Sequence, residues 1–153
     1  MSVIDLTRID RTIDINAAPD RVYRALTDAG EVAQWFRMKV DGPLVEGKET
    51  WMTTGPEHGS QRFVVKVVKQ IPSRAVVWQW HPGAIDPDFD YAAEPMTTVT
   101  FSLEPTPAGT RLTVSETGFD LLTLERRAKA HADNTQGWTE VTVWLKDYVE
   151  AKS

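Results

Sequence analysis

Two side chains of this chain have the types and placement for acid–base chemistry, Glu116 and His131. Glu116 follows Leu112 and Val114 at two-residue steps, so strand alternation turns it with them towards the apolar side. A carboxylate buried there is costly unless paired, and desolvation moves such a group towards the general acid or base range. The other placement open to Glu116 is a strand end, with its carboxylate in solvent or on a lysine. His131 falls on the apolar stripe of a long helical segment, with Thr135 one turn further on. A histidine facing a cavity polarises a ligand carbonyl or hydroxyl. Its alternatives are the helix surface near a first turn, or a core position satisfied by one hydrogen bond. If both face one hollow, Glu116 and His131 form an acid/base pair.

The six tryptophans are the second feature with chemical content. Ligand pockets are mostly apolar with a few polar anchors, and aromatic walls suit them. Trp78 and Trp80 share one strand face, and Trp51 and Trp80 are the preferred pocket walls. Trp35 and Trp138 fit core packing at least as well, and Trp144 lies off the main helical stripe, as an exposed or interface residue would. The candidate ligand-binding set is completed by the inward-alternating Phe63, Val99, Phe101, Leu112 and Val114, with Glu116, His131, Thr135 and Trp138.

Other chemistries are weaker. Arg11 interrupts an apolar strand face, where it would form an ion pair with a neighbouring strand or clamp a ligand carboxylate. His58 and His81 stand alone without ligand spacing, and there is no cysteine, so no metal site is expected. Asp86, Asp88 and Asp90 mimic the start of a calcium loop, but Tyr91 replaces its glycine and Thr97 its final glutamate. The acidic segment 82–95 reads instead as a cavity lid or a solvated insertion. Serine-hydrolase, phosphate-binding and zinc-protease motifs are missing from the sequence, and no cofactor is expected.

The elements that must position these residues follow from periodicity. Segment 7–15 alternates Ile9, Ile13 and Ile15 with Asp10, Thr12 and Asp14, a half-buried strand. Asn16 to Asp20 stops it and opens a helix with Pro19 in the first turn; Asp28 to Gly30 ends that helix, and a second short one covers about Glu31 to Trp35. Strands are expected near 46–54, 61–71, 75–81, 97–104 and 111–116, separated by Gly- and Pro-rich turns. From Leu124 to Ala151, a stripe through His131, Thr135, Trp138, Thr142, Leu145 and Val149 marks a helix, with Asn134 and Gly137 favouring a kink. Antiparallel strands flanked by helices make an α+β chain. A curved sheet closing on a long helix leaves an apolar hollow between them.

Composition sets the boundaries. The 153 residues carry 17 Lys+Arg against 22 Asp+Glu, a net charge of −5. That length suits one domain, here 1–153, and that charge lacks the footprint of a nucleic-acid binder. Charged residues interrupt every apolar run near the N-terminus, and no stretch approaches a membrane span, so a cytoplasmic protein is expected.

Ile13 to Asp28, followed by Gln34-Trp35-Phe36, resembles the opening signature of the family named after the activator of the heat-shock ATPase chaperone. Val99 to Pro105 with Gly109 to Leu112, and then Gly118-Phe119, Gly137-Trp138, Leu145 and Tyr148, resemble its later hairpin and close. The resemblance implies a helix-grip fold of the START and birch-pollen-allergen superfamily, with six or seven antiparallel strands around the C-terminal helix. It also implies a cavity for a small hydrophobic molecule. The function expected first is therefore non-enzymatic binding of such a molecule. A small cyclase, dehydratase or hydrolase using Glu116 and His131 is the second expectation. A chaperone-associated or homodimerising interaction module, docking through a patch at Trp144, is the third.

Overall fold

The computed structural model describes residues 5–82 and 90–151. Asp86 and Asp88 of the calcium-like spacing, and residues 83–89 of the expected lid, lie outside the described residues. Asp90 accepts a hydrogen bond from Ala92 N at 3.2 Å, capping a short 3-10 turn.

Seven strands form one antiparallel sheet in the order β1-β7-β6-β5-β4-β3-β2. They are β1 (Arg8–Ile15), β2 (Lys39–Val40), β3 (Glu49–Thr53), β4 (Arg62–Ile71), β5 (Ala75–Trp80), β6 (Thr97–Thr106) and β7 (Gly109–Thr117). The helices are α1 (Pro19–Thr27), α2 (Ala29–Trp35) and α3 (Leu124–Ala151). This is the helix-grip α+β architecture: two short helices after the first strand, then the sheet, then one long helix against it. The two-residue β2 carries too little alternation to be legible in sequence.

Local chemistry explains the boundaries. Pro19 starts α1, where its missing N–H costs nothing. Asp28 does more than end α1: its carboxylate accepts from Glu31 N at 3.0 Å and so caps α2, which places Gly30 inside that helix. The 28-residue α3 spans both Asn134 and Gly137 as one helix, about 42 Å at 1.5 Å per residue.

Strand register aligns the inner face. Ile9, Glu116, Val99, Trp78 and Val67 pair successively across β1, β7, β6, β5 and β4. Four of these five are hydrocarbon or aromatic side chains, and all five are buried. The core around this row is filled: Trp78, Val99, Phe101, Leu112 and Val114 are each at most 1% exposed. The hollow implied by a sheet closing on a helix is thus packed over most of its length. It opens at one end.

Candidate functional site

That opening is a cavity of about 440 Å³, within the ordinary range of small-molecule sites. One wall is α3, through Asn134, Gly137, Trp138, Val141 and Trp144. A second is the inner face of the sheet at one end of its strands, Phe63 at the start of β4 and Trp80 with His81 at the end of β5. The segment that follows α2 (Phe36, Arg37, Met38) and the turn Thr54 to His58 complete the lining.

The aromatic wall is ordered by ring stacking. Trp80 lies between Phe36 and Trp138, with centroids 6.1 and 5.6 Å away and interplanar angles of 26° and 23°. Phe63 meets Trp80 edge-on at 6.1 Å. Such offset and edge contacts are worth about 0.5–1.5 kcal/mol each beyond burial.

Behind this wall sits Glu116, fully buried. Its Oε1 accepts from Trp138 Nε1 at 2.8 Å and from Asn134 Nδ2 at 2.9 Å. Its Oε2 accepts from Trp80 Nε1 at 2.8 Å, Thr97 Oγ1 at 2.5 Å and Asn134 Nδ2 at 3.0 Å. Four uncharged side chains from β5, β6 and α3 therefore saturate one carboxylate, which answers the cost of burying it. Three of these donors, Trp80, Asn134 and Trp138, also line the cavity. Their polar atoms are turned to Glu116, so the tryptophans offer the cavity carbon.

His131 is engaged elsewhere. Its Nε2 lies 2.9 Å from the carbonyl of Arg8 on β1, and because a carbonyl only accepts, this nitrogen carries the proton. Phe119 packs edge-on against the ring at 5.4 Å, and Thr135 Oγ1 donates to the His131 carbonyl at 2.6 Å. No hydrogen bond joins His131 to Glu116 among the described residues. The structure thus places Glu116 at a hub behind the cavity and His131 with Thr135 on the side of α3 that meets β1.

The expected ligand-binding residues divide in the same way. Phe63, Trp80 and Trp138 line the cavity. Trp78, Val99, Phe101, Leu112 and Val114 are closed into the core beneath it. Trp51 does not join them: its neighbours Thr50 and Met52 are buried, so alternation sends Trp51 to the outer face, 42% exposed, under the Arg62 guanidinium at 4.3 Å. Arg11 forms no ion pair across the sheet among the described residues; it donates to Thr139 Oγ1 of α3 at 3.3 Å and to the Asp10 carbonyl at 2.9 Å. Trp144, expected on an exposed patch, lines the cavity and carries the Arg37 guanidinium 4.0 Å from its ring centre.

Several lining residues were not picked out by sequence. Asn134, Gly137, Val141 and Trp144 follow one another at steps of three, four and three, a second stripe beside the core stripe of α3. Gly137 opens the wall, since a Cβ built there meets nothing within 4 Å. Phe36, Arg37 and Met38 come from the helix end, where no period operates. His81 is among the lining residues, with Nδ1 buried and without a hydrogen-bond partner among the described residues. Burial holds its imidazole below the usual histidine range, although Glu94, Asp90 and Glu49 pull the other way. No group of three metal-ligating side chains occurs among the described residues, and no helix among them is long and apolar enough to cross a membrane.

Comparison with known proteins agrees with this architecture. Protein MLL2253 from Mesorhizobium loti superposes with a TM-score of 0.77 at 23% identity, over 95% of this chain and 98% of that one. The Aha1 dimer from Colwellia psychrerythraea gives 0.70 at 23% identity, over 94% and 96%. DynU16, described as a putative protein in the dynemicin biosynthetic locus, gives 0.72 at 23% identity; the match covers 96% of this chain and 48% of that one. At these identities the likeness is one of fold. Curated proteins give no match. The family model described as Activator of Hsp90 ATPase homolog 1-like protein matches residues 16–150, and the chain belongs to that family.

Proposed function

We propose that this protein binds a small hydrophobic molecule in the cavity between α3 and the inner face of β4 and β5. The observation that carries this reading is the cavity itself: about 440 Å³, walled by Phe36, Phe63, Trp80 and Trp138 and left open by Gly137. A wall whose indole N–H groups are already bonded to Glu116 has little to offer a polar solute, and it gains by covering an apolar one. Glu116 serves this reading as the residue that fixes the wall. The same reading keeps the expectation of a cytoplasmic protein.

The test is titration with N-phenyl-1-naphthylamine, a neutral dye that brightens in apolar surroundings. Saturable one-to-one uptake by the parent protein is expected, with loss of uptake in a Gly137→Phe variant that keeps the parent circular dichroism. Equal uptake by the two proteins, or none by the parent, would sink the reading.

A further inference from the structure

The polar groups left unspent around the cavity narrow the class of molecule it takes. Trp80, Asn134 and Trp138 have their N–H donors committed to Glu116. Of the two carboxylates on the lining, Glu140 accepts from Gln136 Nε2 at 2.8 Å. Glu57 folds back over Gly55, its carboxylate carbon 2.8 Å from where a Cβ would stand. Arg37 differs from all of these. Its guanidinium carbon stands 4.0 Å from the Trp144 ring centre and the group makes no side-chain hydrogen bond or ion pair among the described residues, which leaves its N–H donors uncommitted.

Its backbone adds a second observation. Arg37 adopts φ +58°, in the left-handed region, two residues beyond the end of α2. The Met38 N–H reaches back to the Ala33 carbonyl at 3.3 Å, the closing bond of a helix-end turn that is usually built on glycine. An arginine in that place is strained, and strain of this kind gathers at ligand-contacting positions. The Trp144 contact and a left-handed backbone together hold a cation that has no anionic partner among the described residues beside an aromatic cavity.

We infer that the preferred ligand is an aromatic acid, its flat ring system against the Trp80–Trp138 wall and its carboxylate or phenolate on the Arg37 guanidinium. A guanidinium matches a carboxylate by two parallel N–H···O bonds, which gives orientation as well as attraction. The inference rests on the cavity being the binding site.

A matched pair of probes separates the two readings: 1-naphthoate, and 1-naphthalenemethanol as its neutral counterpart, each measured by calorimetry at low salt. The parent protein is expected to bind naphthoate about tenfold more tightly, a ratio that Arg37→Gln collapses to about one and Arg37→Lys partly retains. Raising the salt should shrink the preference, because an exposed charge pair is screened. Equal affinity for the two probes in the parent overturns the aromatic-acid inference and leaves the cavity reading standing. A preference that survives Arg37→Gln overturns the role of Arg37. Binding of neither probe overturns both readings.

Discussion

Glu116 and Trp138 are joined by a hydrogen bond of 2.8 Å that ties the inner face of β7 to the middle of α3. Because the same carboxylate holds Trp80 and Asn134, one side chain aligns strand, helix and cavity wall. Glu116→Gln replaces an acceptor-only group by one whose amide presents two donors to four other donors. At least one buried N–H then loses its partner, a cost of about 1–3 kcal/mol. The expected outcome is destabilisation of about 2 kcal/mol in chemical denaturation, with a changed tryptophan emission spectrum in the folded state. Unchanged stability and emission would remove Glu116 from this structural role.

Gly137 gives the opposite sign. It sits within α3, where glycine costs about 0.8–1.0 kcal/mol relative to alanine, and its Cβ position is empty. Gly137→Ala should therefore stabilise the protein by about 0.5–1 kcal/mol while narrowing the cavity by one methyl group. Denaturant midpoints together with dye titration check both halves. A destabilised Gly137→Ala would mean that the helix is kept distorted at that turn.

How far the sequence carries the structure can be judged from α3. Its start and end, its core stripe and the inward placement of Glu116 were legible because helix and strand periods are local signals. The partners of Glu116 were not legible, since β5, β6 and α3 meet only through sheet register and helix docking. His131 shows the same limit: the stripe gave its burial, but not that β1 would supply the Arg8 carbonyl. Trp51 was misplaced by a single residue of alternation, which is all that separates the inner face of a strand from the outer. The lining outside α3 and the sheet was the least legible part. Phe36, Arg37 and the turn at Thr54 to His58 belong to chain reversals, whose positions in space no periodic pattern encodes.

Arg37 should be held by function more than by stability. Arg37→Gly relieves a left-handed residue of about 1–2 kcal/mol. It also gives up a cation–π contact worth about 0.5–1 kcal/mol at an exposed site. Glycine raises the entropy of the unfolded chain by about 0.4–1 kcal/mol as well. These contributions nearly cancel, so the variant is expected within about 1 kcal/mol of the parent while losing its preference for naphthoate over naphthalenemethanol. A variant destabilised well beyond that margin would make Arg37 a residue of the fold.

His81 predicts how stability responds to acid. Burial lowers its folded-state value below the ordinary 6.5 of the unfolded chain, so folding favours the neutral imidazole. A depressed value means that the contribution is complete above the unfolded value and is lost as pH falls from there through the folded one. Glu94, Asp90 and Glu49 oppose the shift and moderate its size. Asp10, held below the usual carboxylate range by its bonds to Arg8 and Ser115, acts in the same direction but in a lower window, beneath about 3.8. Melting temperatures measured between about pH 7 and pH 5 should therefore fall for the parent and fall less for His81→Gln, the two curves turning down together only in the carboxylate range. Parallel curves throughout would show that the His81 ring meets water in the folded protein as freely as in the unfolded chain.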